Sequence, residues 1–132
     1  MIETFPAEAP TARLARRAAG EFAASEGADA ETLAAVELCV SEAVTNAVVH
    51  AYRGEEDPGP IQIEARRPNG YLCLYVRDEG CGLTPRLDSP GLGLGLPLIS
   101  QTAAELEVRR PEHGGTELVM RFDLPAQPSF LE

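Results

Sequence analysis

Apolar residues recur along this chain at two different spacings, one typical of helices and one typical of strands. Between Asp29 and about Tyr52 they return every three or four positions, which predicts a long amphipathic helix capped by Asp29. Thr11 is a suitable N-cap for an earlier helix, and Gly27 stands just past its expected end. The core-facing stripe of the long helix is Leu33, Val36, Val40, Val44, Ala47 and Ala51.

Four later segments alternate apolar and polar residues, as half-buried strands do. We predict these strands over residues 61–67, 71–77, 106–110 and 116–124. Asn69-Gly70 between the first two indicates a hairpin turn, and Gly114-Gly115 indicates a second hairpin between the last two. A short third helix is expected from about Leu94 to Ala104, because Pro97 is tolerated only in its first turn.

The alternation gives the sheet one apolar face and one polar face. A sheet with one polar face carries helices on the other face only, so the predicted fold is a two-layer α/β sandwich and not a doubly wound sheet. We treat residues 1–132 as a single domain with loosely ordered ends at 1–9 and 125–132. The expected core residues are Ile61, Ile63, Ala65, Leu72, Leu74, Val76, Leu118, Met120, Phe122 and Leu124.

Composition excludes several classes of function. The net charge is −10, so an interface with nucleic acid is not expected. All 11 basic residues are arginine, and the absence of lysine excludes P-loop proteins and eukaryotic-type protein kinases. The apolar runs are short and the N-terminus lacks a secretion signal, so a cytoplasmic protein without a membrane span is expected.

The long helix carries the first candidate site. Glu42, Asn46 and His50 stand four residues apart and therefore share one face, away from the apolar stripe. Leu38 and Cys39 lie near the same side, so this face is not plainly solvated. From this stretch alone, a pocket lining and a solvated polar face remain equally plausible.

Glycine-rich segments carry the other candidates. Asp78 ends an apolar strand and is followed by Gly80 and Gly82, which allow a flat ligand to approach the backbone. The carboxylate could accept a hydrogen bond from an amino group, although an ordinary turn also fits. Exposed N–H groups before the third helix could bind an anion. The glycines there alternate with leucine, unlike a flexible linker, at Gly91, Gly93 and Gly95.

The order of these motifs resembles the Bergerat-fold ATPases, the superfamily of gyrase, sensor histidine kinases and mismatch-repair ATPases. The helix motif is similar to the N box, Asp78-x-Gly80-x-Gly82 to the first glycine box, residues 91–95 to the second, and Thr116 to the late threonine. The match covers roughly residues 10–124. Residues 41–52 look most like the anti-sigma-factor serine kinases of bacterial partner-switching systems. This resemblance implies a mixed, mostly antiparallel sheet.

The resemblance also implies roles for individual residues. Asp78 would accept from the adenine amino group, Thr116 would assist at the adenine, and Gly80 and Gly82 would allow close approach. Asn46 would coordinate Mg²⁺, and Glu42 would act as general base toward a serine or threonine hydroxyl. Arg86, in the short segment before the second glycine box, could reach the terminal phosphate or be a solvated loop charge. The ATP phosphates would lie against the backbone of Gly91, Gly93 and Gly95.

The function implied is that of an ATP-binding anti-sigma factor that is also a serine/threonine kinase. Its partners would be a sigma factor and an anti-anti-sigma antagonist protein, which it would phosphorylate, and it would form a homodimer. ATP and Mg²⁺ would be its cofactors. One alternative is a nucleotide-binding module that switches partners without phosphoryl transfer. Another is a scaffold that has lost its ligand, which fits less well because all four motifs have suitable residues.

Overall fold

The computed structural model describes residues 1–80 and 96–124. Its sheet has five strands in the order β1-β2-β3-β5-β4, and every pairing between them is antiparallel. The described strands therefore lack the parallel pair that a mixed sheet would contain. The strands are β1 (Ile2–Pro6), β2 (Pro60–Arg66), β3 (Tyr71–Asp78), β4 (Glu105–Arg109) and β5 (Thr116–Asp123). The helices are α1 (Thr11–Ser25), α2 (Ala30–Asn46), a π-helical turn (Ala47–Ala51) and α3 (Leu96–Thr102).

The core lies between one face of the sheet and the helices, which confirms the predicted two-layer sandwich. Helix α2 is central, because it packs against α1, α3 and the sheet. Its predicted apolar stripe is buried except for Leu33, which is partly exposed, and Leu124 at the end of the last strand is also only partly buried. The other nine strand residues expected in the core are buried as predicted.

The N-terminal end is part of the sheet, so the expectation that residues 1–9 are loosely ordered is wrong for β1. Ile2–Pro6 pairs along β2, and the amino group of Met1 donates to the Ala65 carbonyl at 3.1 Å. The physical reason is that the outer edge of β2 has backbone groups that need hydrogen-bond partners, and this segment supplies them. The predicted loose end at 125–132 lies outside the described residues.

The predicted N-cap residue is correct for α2 and wrong for α1. Asp29 caps α2 as predicted, accepting from the Thr32 N–H at 2.8 Å, and this hydrogen bond lowers the pKa of Asp29. Thr11 is instead the first residue of α1, and Pro10 occupies the N-cap position. The Thr11 hydroxyl donates to the Pro6 carbonyl at 2.5 Å, so it ties the helix to β1 instead of capping it.

Residues Ala30–Ala51 form a helical stretch of 22 residues, within which an 18-residue window has a mean hydropathy of 1.4. By length and composition alone this stretch could cross a membrane. The prediction that no segment of the chain is long and apolar enough to do so was therefore wrong. In the structure Val36, Val40 and Val44 are fully buried against the rest of the chain. The central helix of a globular core meets the same criteria, because it too is long and apolar.

The polar face of the sheet is ordered by an ion-pair network centred on Arg77. Arg77 donates to Glu64 at 2.7 Å and to Gln62 at 2.9 Å, and it also pairs with Glu117. Its guanidinium lies 4.8 Å from the centre of the Tyr75 ring. Burial would raise the pKa of Glu64, but hydrogen bonds from the neighbouring arginines outweigh it and hold that pKa below its usual value.

Candidate functional site

The long helix presents Glu42 and Asn46 on the flank of its core-facing stripe. Glu42 is half-buried, whereas Asn46 is only 6 % exposed. The Nδ2 atom of Asn46 is buried and has no hydrogen-bond partner in the described part of the chain. Since buried amides are normally hydrogen-bonded, this side chain has unused capacity for a polar ligand. The flank is therefore buried at Asn46 and is not a solvated face there.

Cys39 lies one helical turn before Glu42 and is fully buried. Burial, reinforced by the negative charge of Glu42, raises the pKa of the Cys39 thiol to about 12. Cys39 therefore stays a neutral thiol at physiological pH. Cys73 is only half-buried, and Cys81 lies outside the described residues.

The last turn of this helix is a π-helix, which changes the predicted shared face. The predicted face assumed regular α-helical spacing from Asn46 to His50, whereas Ala47–Ala51 is a wider π turn. His50 lies 2.9 Å from Arg53 through its Nδ1 atom. Burial, together with the positive charge of Arg53, lowers the pKa of His50. Glu42 and Asn46 thus remain candidates, whereas His50 belongs to the helix end.

Asp78 ends strand β3 with a half-buried side chain. Its Oδ1 atom accepts from the Gly80 N–H at 3.0 Å, and the Thr116 N–H also donates to the carboxylate. Thr116 is the cross-strand partner of Asp78, which places the predicted threonine beside the predicted acid. Burial raises the pKa of Asp78, and these two backbone donors offset part of that rise.

Two glycines allow the backbone to close around Asp78. A Cβ on Gly80 would lie 1.9 Å from the Ala51 carbonyl oxygen, at the end of the π turn. A Cβ on Gly115 would lie 2.1 Å from the Asp78 carbonyl oxygen, and Gly115 also has a positive φ of 85°. Gly80 was predicted to admit a flat ligand. The structure gives it a further reason to be glycine, since it packs directly on the helix end.

Tyr52 is a site residue to which the sequence reasoning gave no role. It follows the π turn, is 6 % exposed, and its hydroxyl donates to the Pro60 carbonyl at 2.6 Å. The same hydroxyl accepts from the Glu79 N–H at 2.9 Å. The only sequence signal was its position at the end of the helix motif. Its partners become visible only once β2 and β3 lie side by side.

The structure thus brings together Asp78, Gly80 and Thr116. It joins them to the helix of Glu42 and Asn46 through the contact between Gly80 and Ala51. The remaining predicted site residues, including the whole second glycine box, lie outside the described ranges. They are Gly82, Arg86, Gly91, Gly93 and Gly95.

A cavity of about 420 Å³ opens beside Asp78 and Thr116 toward the β4–β5 turn. Its lining also includes Glu79 and Glu117 from the polar face, and its arginine, Arg77, is already paired with carboxylates. An acidic lining with a neutralised cation repels phosphate groups. This cavity is therefore a poor site for a triphosphate, although it borders the same aspartate.

The residues present fit a magnesium ion only as partial ligands. Within residues 1–80 and 96–124, no three acidic, histidine or cysteine side chains come together as a metal site. Mg²⁺ in proteins is commonly held by one or two side-chain oxygens together with substrate phosphates and water. The amide oxygen of Asn46 is the group there that could join such a shared arrangement, whereas its unpaired Nδ2 is a donor and would face an acceptor such as a phosphate oxygen.

Comparisons with known proteins place this architecture in a family. The sequence matches the histidine kinase-like ATPase domain over residues 5–122. It is 32 % identical over 68 % of its length to the anti-sigma F factor of Halalkalibacterium halodurans, covering 70 % of that protein. It is 34 % identical over 77 % of its length to the anti-sigma F factor of Caldanaerobacter subterraneus, covering 78 % of that protein.

A solved structure shows the same arrangement of helices and strands. The crystal structure of the RsbU and RsbW domains of Rv1364c from Mycobacterium tuberculosis superimposes with a TM-score of 0.72 at 25 % identity. The superposition covers 94 % of this chain but 31 % of that longer one, so the likeness concerns one part of that protein. The sequence match and the shared fold agree, and this chain belongs to the family of histidine kinase-like ATPase domains.

Proposed function

We propose that this protein is an ATP-binding anti-sigma factor that phosphorylates an anti-anti-sigma antagonist protein on serine or threonine. Membership of an ATPase-domain family supports ATP binding, and the likeness to anti-sigma F factors supports the regulatory role. The observation that carries the proposal is the half-buried carboxylate of Asp78, which two backbone donors orient beside Thr116.

In this proposal Asp78 recognises the adenine. Its carboxylate accepts a hydrogen bond from the adenine amino group, and the Thr116 hydroxyl assists on the neighbouring strand. Gly80 and Gly82 keep the backbone close to the base, and the glycines of residues 91–95 bind the phosphates through their N–H groups. A hydrogen bond to a partly desolvated carboxylate is stronger than one in water, which favours adenine over bases without the amino group.

Phosphoryl transfer would depend on Glu42 and Asn46. Asn46 would hold Mg²⁺ through its amide oxygen, and the ion would neutralise charge on the transferring phosphoryl group. Glu42 would take the proton of the antagonist hydroxyl as that oxygen attacks the terminal phosphorus, and ADP would leave. Glu42 is half-exposed on the helix flank, so a protein substrate could reach it. Arg86 would contact the terminal phosphate.

The test begins with calorimetric titration of ATP and Mg²⁺ into the wild type and Asp78→Asn. We expect the wild type to bind and the variant to lose at least about tenfold in affinity, because an amide cannot accept as strongly as a carboxylate. Absence of binding by the wild type would defeat the proposal. A scaffold without a nucleotide would then be the better description.

Transfer is tested separately, with labelled ATP and candidate anti-anti-sigma proteins from the same organism. Glu42→Gln should retain ATP binding and lose most phosphoryl transfer, whereas Glu31→Gln on the exposed start of the same helix should transfer normally. Equal transfer by Glu42→Gln would remove Glu42 as the base. Binding without transfer to any such protein would favour a module that switches partners through nucleotide binding alone.

Sequestration of a sigma factor, homodimerisation and a cytoplasmic location complete the proposal. The short strand β1 at the sheet edge and the polar sheet face leave room for partners on the side away from the helices. Gel filtration of the chain with and without a sigma factor and ATP would measure these associations. If the protein stays monomeric and binds no sigma factor, only the nucleotide-binding part of the proposed function would remain.

A further inference from the structure

The hydroxyl of Tyr52 joins two backbone segments that are distant in sequence. It donates to the carbonyl of Pro60, where β2 begins, and accepts from the N–H of Glu79, directly after Asp78. The hydroxyl is nearly buried, and burial raises the pKa of Tyr52, so it stays protonated and able to donate at physiological pH. The hydroxyl therefore acts both as a hydrogen-bond donor and as an acceptor.

The N–H of Glu79 belongs to the peptide unit that begins at the Asp78 carbonyl. That carbonyl oxygen packs against Gly115, where an added Cβ would come within 2.1 Å. The next residue, Gly80, packs against the helix end that precedes Tyr52. The peptide unit following Asp78 thus lies with its oxygen against Gly115, directly before β5, and its nitrogen donates to Tyr52. Neither contact touches the carboxylate itself.

We propose that Tyr52 is a positioning residue for base recognition: its hydroxyl fixes the peptide after Asp78 and thereby aims the Asp78 carboxylate at the exocyclic amino group of adenine. This inference rests on the proposed function, since it assumes that Asp78 reads that amino group. The carboxylate direction depends on the backbone angles of Asp78, and an anchored peptide restricts those angles. A base without the amino group gains nothing from this orientation.

The test compares ATP with purine riboside 5′-triphosphate, which lacks the amino group, in calorimetric titrations with Mg²⁺. The wild type should prefer ATP by about tenfold or more, as expected for a hydrogen bond to a carboxylate. In Tyr52→Phe this preference should fall by about fivefold or more, mainly through weaker ATP binding. The affinity ratio within one variant is insensitive to a general loss of stability, which would weaken both ligands alike.

Two further variants make the comparison decisive. Tyr71→Phe makes the same chemical change at the far end of β3, on the polar face, and should leave the preference unchanged. Gly59→Ala keeps the Tyr52 hydroxyl but places a methyl group 2.8 Å from it, so either the hydroxyl or the neighbouring Gly59–Pro60 backbone to which it is hydrogen-bonded must shift. This variant should lower the preference as Tyr52→Phe does, and it carries the test if Tyr52→Phe does not fold.

The outcomes separate this inference from the proposed function. A reduced preference in Tyr52→Phe or Gly59→Ala, with Tyr71→Phe unaffected, supports the positioning role. If both ligands weaken in equal proportion, Tyr52 is merely structural and the inference is wrong. If the wild type binds ATP but shows no preference for it, Asp78 does not read the amino group. If the wild type binds neither ligand, the proposed function itself fails.

Discussion

Replacement of Gly80 by alanine tests whether the Asp78 segment and the end of the long helix form one rigid site. The added Cβ would lie 1.9 Å from the Ala51 carbonyl oxygen, and real Cβ atoms essentially never approach closer than 3.0 Å. The two backbone segments must therefore separate by about 1.1 Å. Because the opposing atom belongs to the backbone, no rotamer change can relieve the contact.

The expected loss follows from that displacement. Overpacking of a close contact costs about 1–3 kcal/mol, and each kcal/mol lowers the melting temperature of a domain of this size by about 4 °C. A shift of this size also stretches the hydrogen bond from the Gly80 N–H to Asp78, now 3.0 Å. The affinity for ATP should then fall by about tenfold or more, since a charge-assisted hydrogen bond is lost.

The assay combines urea unfolding with calorimetric titration of ATP. Gly70→Ala is the matched control, because no atom lies within 4 Å of an added Cβ at Gly70 and its φ is not positive. That variant should be neutral or slightly stabilising through its effect on the unfolded chain. If Gly80→Ala is as stable as the wild type and binds ATP as tightly, the reasoning is refuted, because the helix end would then not constrain the Asp78 segment.

Two further predictions concern charges and their pH dependence. Burial raises the folded-state pKa of Asp78 above its ordinary 3.8, so folded Asp78 binds a proton more tightly than unfolded Asp78 does. The stabilisation that this proton binding gives the folded state is lost as pH rises through the raised pKa. In urea unfolding without ATP, Asp78→Asn should therefore be at least as stable as the wild type at pH 7, and a clear loss there would contradict this. Arg77→Met leaves Glu64 and Glu117 without their shared partner and should lose about 1–3 kcal/mol at pH 7. Because the pKa of Glu64 is lowered, that stabilisation is complete above its ordinary 4.5 and is lost as pH falls through the lowered pKa. The stability difference between Arg77→Met and the wild type should therefore shrink as pH falls below 4.5, and a constant difference would contradict the role of the ion pair.

The periodicities alone predicted most of the architecture. Spacings of three and four residues placed the long helix and its buried face, and strict alternation separated the two faces of the sheet. These patterns are local, because a side chain's face follows directly from its position in a helix or strand. The association of Glu42 with Asn46 was also a local inference, and it survives because α2 is regular as far as Asn46.

Tertiary structure decided what periodicity could not. Strand β1 has no alternating pattern of its own, and its residues become a strand because the edge of β2 offers partners. The spacing of the apolar residues does not predict the π turn that contains His50. The roles of Gly115, Gly80 and Tyr52 depend on how closely separate segments approach, which only the packed chain determines. A sequence lists the groups that can do chemistry, whereas their orientation arises from contacts between residues far apart along the chain.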